Sequence, residues 1–129
     1  MIPSEAVHIP TSRLLQYEVD GETLVVLPQG DCSSLAAAIL ESELQEILNE
    51  LSAHRFTGLV VDFERAPFFG STMLSGLIRL WQSIALGSGR LVLCNVSPPE
   101  LDVLSATKLD RVWEVYPNRT EALAAVRAN

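Results

Sequence analysis

Three short, strongly apolar runs, separated by two long amphipathic stretches, constrain the fold of this chain more than any other feature. The runs are Leu24–Leu27, Leu59–Phe63 and Leu91–Cys94. Between them, in segments 34–53 and 71–86, apolar residues recur every three or four positions, which is the spacing of an amphipathic helix. Strands that alternate with helices are typical of a mostly parallel sheet with right-handed crossovers. The sequence therefore predicts an α/β domain.

The remaining elements extend this pattern at both ends. Leu14–Val19 predicts a strand, and the Asp20-Gly21-Glu22 turn that follows predicts an antiparallel pairing with the next strand. Ser97, with Glu100 three residues later, predicts a helix start with a capping box. A fifth strand is predicted over Arg111–Tyr116, and the spacing of Asn118 and Glu121 predicts the start of a terminal helix.

The complete order predicts one mixed, mostly parallel sheet of about five strands with about four helices. We expect residues 1–13 to be an N-terminal arm and residues 14–129 to be a single domain, since 129 residues suit one hydrophobic core. The loop between Phe63 and Ser71 should lie at the carboxyl ends of the strands. Functional sites gather at that edge in folds of this kind.

Composition excludes several functions. The chain carries nine Lys and Arg against sixteen Asp and Glu, for a net charge of −7, and it has no basic run. Direct nucleic-acid binding is therefore not expected, because phosphate backbones are bound by clustered basic residues. No apolar stretch is long enough for membrane insertion and the N-terminus lacks the pattern of a signal peptide, so we expect a cytoplasmic protein.

The residues needed for catalysis or metal binding are sparse. Only two histidines occur, His8 in the N-terminal arm and His54 at the end of the first long helix. The two cysteines are 62 positions apart, and Cys94 lies in an apolar strand, where a reduced, buried thiol is expected. We therefore expect no catalytic residues, no metal site and no cofactor.

Segment 60–74 is the most informative part of the chain. It reads VVDFERAPFFGSTML: an apolar strand reaches Asp62, an apolar loop follows, and Gly70-Ser71-Thr72 opens a helix. This segment resembles the signature of STAS domains of the anti-sigma factor antagonist type. In that signature, Asp-Ser-Ser-Gly-Leu opens the helix and the first Ser is phosphorylated. Weaker similarities in the same order extend the resemblance from about residue 14 to residue 126.

The chain departs from the family pattern in three places near the serine that is phosphorylated in the family and in the segment after the second strand. Gly70 stands where the family has Asp, and Thr72 and Met73 stand where it has Ser and Gly. The family's Gly-Glu-Leu-Asp after the second strand is replaced by Gly-Asp-Cys-Ser at residues 30–33. The departures leave the predicted fold unchanged and bear on the recognition that a kinase would need.

Ser71 has a physical interpretation beside the resemblance. We expect it at a helix N-cap, where backbone N–H groups lack acceptors and the helix dipole is positive. A phosphate there would be stabilised locally while adding about two negative charges to an exposed surface. The alternative is that Ser71 only caps its helix. Thr72 is the second candidate for phosphorylation.

The resemblance implies a non-enzymatic regulator that binds an anti-sigma factor serine kinase and loses that partner on phosphorylation. A phosphatase is a further expected partner. The sequence leaves it open whether both Phe68 and Phe69 are buried or one is exposed. The predicted partner-binding residues are Gly30, Asp31, Ser33, Phe69, Gly70, Ser71, Thr72 and Met73.

Two alternatives remain at this point. One is an unphosphorylated STAS scaffold or transport-system subunit, which the glycine at position 70 favours. The other is a small anion- or nucleotide-binding domain that uses the N-terminus of the same helix.

Overall fold

A computed structural model describes residues 13–30 and 37–127 of the chain. The described residues form five strands and four α-helices. In chain order these are β1 (Leu15–Asp20), β2 (Thr23–Pro28), α1 (Ala37–Ala53), β3 (Gly58–Asp62), α2 (Ser71–Leu86), β4 (Arg90–Cys94), α3 (Pro98–Ala106), β5 (Glu114–Tyr116) and α4 (Arg119–Arg127). A 3-10 turn, Leu109–Arg111, follows α3.

The strands form one sheet in the order β1-β2-β3-β4-β5. β1 and β2 are antiparallel, and every later pair is parallel. Gly21 has a φ of +65° and so permits the tight turn between the first two strands. The predicted single α/β domain with a mostly parallel sheet is confirmed, and β3 is its central strand.

Alternate residues of the central strands enter two different cores. One side of the sheet packs against α1, α2 and α3, and its core includes Val26, Val61 and Leu93. The other side packs against α4, and Val60 and Val92 face it. Burial on both faces explains why these strands read as continuous apolar runs.

The prediction of a strand over Arg111–Tyr116 is wrong at its start. Lys108 has a φ of +63°, which ends α3, and residues 109–111 form the 3-10 turn. The Trp113 amide donates to the Leu109 carbonyl at 3.1 Å, so strand pairing begins only at Glu114. This turn places the Trp113 ring in the core, where it packs edge-on to Trp81 with ring centroids 6.3 Å apart.

Candidate functional site

The carboxyl ends of β2, β3, β4 and β5 meet at one edge of the sheet because these strands are parallel. The start of α2 and the 63–70 loop before it lie at this edge. An isolated bridge between Gln29 and Arg65 joins the end of β2 to that loop. Gly30, exposed and with a φ of +75°, is therefore next to the loop.

Ser71 is exposed at the first residue of α2. The N-cap position belongs to Gly70, which has no side chain, so the prediction that Ser71 caps the helix is wrong by one residue. The first helical hydrogen bond runs from the Leu74 amide to the Gly70 carbonyl at 3.1 Å. The amides of residues 71–73 therefore have no acceptor within the helix, and they lie at the same helix end as Ser71.

Phe69 and Met73 do not lie on the surface that the sequence assigned to them. Phe69 is 9% exposed and stacks on Phe63 with ring centroids 4.5 Å apart, and Met73 is 2% exposed. Both face the core because they occupy the inward positions of the loop and of the first helical turn. The exposed aromatic side chain is that of Phe68, at 65%.

Ser97, the N-cap residue of α3, and Glu100, in its first turn, hold the 63–70 loop from both sides of Phe68. The Ser97 hydroxyl donates to the Pro67 carbonyl at 2.5 Å, and the Phe69 amide donates to the Glu100 carboxylate at 3.2 Å. We refer to this pair of hydrogen bonds as the α3 clasp. Ser97 makes no side-chain cap bond in its own helix, so the predicted capping box is wrong. Both of its members bind the loop instead.

Asp62, at the end of β3, is the centre of a buried polar network that the sequence did not identify as a site. Its Oδ1 accepts hydrogen bonds from the Glu64 amide at 3.0 Å and the Asn95 side chain at 2.9 Å. Its Oδ2 accepts from Nε of Arg119 at 3.0 Å, and Arg119 also pairs with Glu18 at 2.6 Å.

The network keeps the Asp62 carboxylate ionised. Burial by itself would raise the pKa of Asp62, but the hydrogen bonds from Asn95, the Glu64 amide and Arg119 outweigh burial, and the pKa lies below its usual value. The network thereby fixes the start of the 63–70 loop and the start of α4 to the sheet. An acidic residue at the end of an apolar run indicates that a basic or hydrogen-bonding partner is needed. The sequence does not identify that partner, because Arg119 lies 57 positions away.

The predicted site residues are thus only partly brought together. Gly30, Gly70, Ser71 and Thr72 share the carboxyl edge of the sheet. Asp31 and Ser33 lie outside the described residues. Asn95, Ser97, Glu100 and Arg119 support the edge, and local sequence reasoning missed them because their partners are distant in the chain.

A depression lies at the opposite edge of the sheet, near the C-terminal ends of α2 and α4. It has a volume of about 760 Å³, and its lining includes Arg55, Arg90 and Arg127. Arg90 donates to the Ala125 carbonyl at 2.8 Å, and Arg127 pairs with Asp20 at 2.7 Å. Arg90 thereby compensates the negative end of the α4 dipole.

The described residues include no reactive thiol, no cluster of metal-binding side chains and no membrane-spanning helix. Burial, together with the nearby Asp62 charge, raises the pKa of the Cys94 thiol to about 12, so this thiol stays protonated. Within residues 13–30 and 37–127, no cluster of three or more His, Cys, Asp or Glu side chains is arranged to hold a metal ion. No helix among the described residues is long and apolar enough to cross a membrane.

Comparison with solved structures finds the same fold in several anti-sigma factor antagonists. A putative one from Thermotoga maritima has a TM-score of 0.77 at 20% identity, with 88% of this chain and 94% of that one covered. SpoIIAA in its unphosphorylated form has a TM-score of 0.75 at 25% identity, with 89% and 97% covered. A STAS domain protein from Planctomyces limnophilus has a TM-score of 0.74 at 26% identity, with 87% and 97% covered.

Direct comparison with curated protein sequences finds no match. The model of one protein family, the STAS domain, matches residues 15–122. This range contains all five strands, the 63–70 loop and the start of α4. The chain belongs to the STAS domain family.

Proposed function

We propose that this protein is an anti-sigma factor antagonist that binds an anti-sigma serine kinase at the carboxyl edge of its sheet and is released by phosphorylation of Ser71. It performs no chemistry of its own in this scheme and is the substrate of the kinase. The observation that carries the proposal is the position of Ser71, exposed at the first residue of α2. SpoIIAA, one of the structural neighbours, has been solved in both phosphorylated and unphosphorylated forms.

The local geometry favours a phosphate on this side chain. Ser71 is exposed and is the first residue of α2, so a kinase can reach its hydroxyl without disrupting the fold. The free amides of the first turn and the positive end of the α2 dipole would stabilise the added charge. A phosphate would therefore leave the helix intact and act mainly on whatever protein covers this surface.

Gly70 bears on recognition more than on structure. Its φ of −105° and ψ of −166° are accessible to any residue, so the helix start does not require glycine. The family's Asp would be tolerated by the same backbone. We propose that the kinase recognises the exposed helix start of this chain without an acidic residue before the serine, and that Thr72, which is partly buried, is the secondary acceptor.

The test is capture of partners from the native cells with wild type, Ser71→Asp and Ser88→Asp. Ser88 is exposed at the opposite edge, so its variant adds the same charge away from the proposed interface. We expect a serine kinase to be captured by wild type and Ser88→Asp and to be lost with Ser71→Asp. Equal capture of the same partner by all three, with no phosphate on Ser71 or Thr72 by mass spectrometry, would favour the unphosphorylated scaffold.

A further inference from the structure

Phe68 is the exposed aromatic residue of the 63–70 loop, next to Pro67, which is also exposed. Its neighbour Phe69 stacks on Phe63 and is buried, so Phe69 is the aromatic ring of this pair that enters the core. The ring of Phe68 faces solvent, with 65% of its surface exposed. An outward aromatic ring gives a large apolar contact with few rotatable bonds, a residue type enriched in protein interfaces.

The α3 clasp fixes the backbone on both sides of this ring. It uses the carbonyl of Pro67 and the amide of Phe69, the groups that directly flank residue 68. Glu100 is 7% exposed, and burial of a carboxylate is unfavourable unless hydrogen bonds compensate it. The side chains of Ser97 and Glu100 thus bind the loop instead of capping α3. A side chain held in place before binding loses less conformational entropy when a partner covers it.

Other exposed apolar residues lie on the helix that holds the loop. Pro98, Pro99 and Leu101 are exposed on the first turns of α3, the same turns that form the clasp. Ser71 is three residues from Phe68, so their α-carbons are at most about 11 Å apart. A protein interface of ordinary size covers about 800 Å² on each partner. One partner seated on Phe68 would therefore also cover Ser71.

We propose that Phe68 is the apolar anchor of the surface that binds the anti-sigma serine kinase, and that Ser97 and Glu100 are positioning residues that hold it. This inference rests on the proposed function and adds the contact through which the kinase docks. A protein is the occupant rather than an anionic membrane, because the chain's net charge of −7 is repelled by such a surface. The arrangement also explains how a phosphate near the anchor disrupts docking.

The first test places the photoreactive residue p-benzoylphenylalanine at position 68 of the full chain in native cells. Leu86 is the control position, since it is 90% exposed at the other end of α2. We expect a covalent adduct with a serine kinase from position 68 and none from position 86. An adduct with a second copy of this chain, with lipid or with a protein of another class, or no adduct, would overturn the anchor.

The same experiment separates the anchor from the switch. Adding Ser71→Asp should abolish the kinase adduct if the proposed function is correct. If the adduct persists with Ser71→Asp, the phosphorylation switch is wrong and the anchor stands. If Ser71→Asp abolishes kinase capture by the otherwise unmodified chain but position 68 never gives an adduct, the switch stands and the anchor is wrong.

Variants measured against the purified kinase test the contribution of each group. Phe68→Ala should weaken binding at least about tenfold, as for an interface hot spot, whereas Leu86→Ala should change it less than about twofold. The thermal midpoint should be unchanged in both, because both side chains are exposed. Wild-type affinity of Phe68→Ala would overturn the proposal.

Glu100→Gln and Glu100→Leu form a matched pair for the clasp, since Gln retains an oxygen acceptor for the Phe69 amide and Leu does not. We expect faster hydrogen exchange at Phe69 and several-fold weaker kinase binding with Glu100→Leu, and nearly wild-type values with Glu100→Gln. If exchange at Phe69 is faster in Glu100→Leu while its affinity is unchanged, the clasp has no role in docking. If Glu100→Leu does not fold, a loss of affinity in Glu100→Gln at unchanged thermal midpoint would equally overturn that role.

Discussion

Ser71 carries the exposed hydroxyl that is the proposed phosphorylation site, and we expect it to contribute little to stability. Since Gly70 rather than Ser71 occupies the N-cap, Ser71→Ala should change the free energy of unfolding by no more than about 0.5 kcal/mol. Urea unfolding monitored by circular dichroism would measure this. A loss of about 1–2 kcal/mol, the usual cost of removing a capping side chain, would show that the hydroxyl caps the helix in solution.

Asp62 is the residue from which a pH dependence is expected. Its pKa in the folded protein is lower than the ordinary value of 3.8, so ionised Asp62 stabilises the fold. This stabilisation is fully present above about pH 5 and is lost as the pH falls through the lowered folded pKa. Asp62→Asn removes the charge and should cost about 1–3 kcal/mol at pH 7.

The test is urea unfolding of wild type and Asp62→Asn at pH 7 and near pH 3. The difference between the two proteins should shrink at the lower pH, because Asp62 of the unfolded wild type and then of the folded protein becomes protonated. A difference that is equally large at both values would mean that charge on Asp62 does not account for its contribution.

At the scale of elements, α4 approaches the sheet closely and is fastened at both ends. Arg119 pairs with Glu18, and Arg127 pairs with Asp20, so both ends of the helix are joined to β1. A β-carbon at Gly58 would lie 2.9 Å from Cβ of Val126, which is closer than side-chain atoms pack.

Gly58→Ala should therefore force α4 away from the sheet and cost about 1–3 kcal/mol of stability. Gly87→Ala is the control, because the nearest atom to its β-carbon would be the Ile84 carbonyl oxygen at 3.9 Å. The thermal midpoints of both variants would be compared with that of wild type. A Gly58→Ala protein as stable as the control would contradict the close packing of α4.

The elements also show what local sequence patterns can and cannot predict. Apolar runs located β2, β3 and β4 to within about a residue, because burial on both faces leaves an unambiguous signal. The capping box at Ser97 and Glu100 was wrong because the 63–70 loop competes for the same side chains. The 3-10 turn before β5 depends on the left-handed conformation of Lys108. No pattern in the neighbouring residues predicts this conformation.

The same limits apply to the candidate site. The resemblance and the helix periodicity could place Ser71 at the start of the helix. The predicted cap was one residue too late, because Gly70 occupies the N-cap. The choice of the buried aromatic between Phe68 and Phe69 depends on stacking against Phe63, which is a tertiary contact. Asn95 and Arg119 meet Asp62 only after the sheet has formed. The boundary at residue 13 stays a prediction.

For the whole molecule, the proposed interaction surface is one edge of the sheet, and residues distant in the sequence make it rigid. The Asp62 network fixes one end of the 63–70 loop, the α3 clasp fixes the other, and α2 begins directly after it. A phosphate on Ser71 would therefore change the charge of a rigid surface without altering its shape. That is the physical form of the proposed switch.

The affinity of the purified anti-sigma serine kinase for this protein, measured with and without phosphate on Ser71, tests the central claim most directly. The phosphorylated protein should bind at least about tenfold more weakly, as expected when an anion is placed in a covered interface, while its thermal midpoint stays within a few degrees of the unmodified protein. Equal affinities for the two forms, with phosphate on Ser71 confirmed by mass spectrometry, would contradict it.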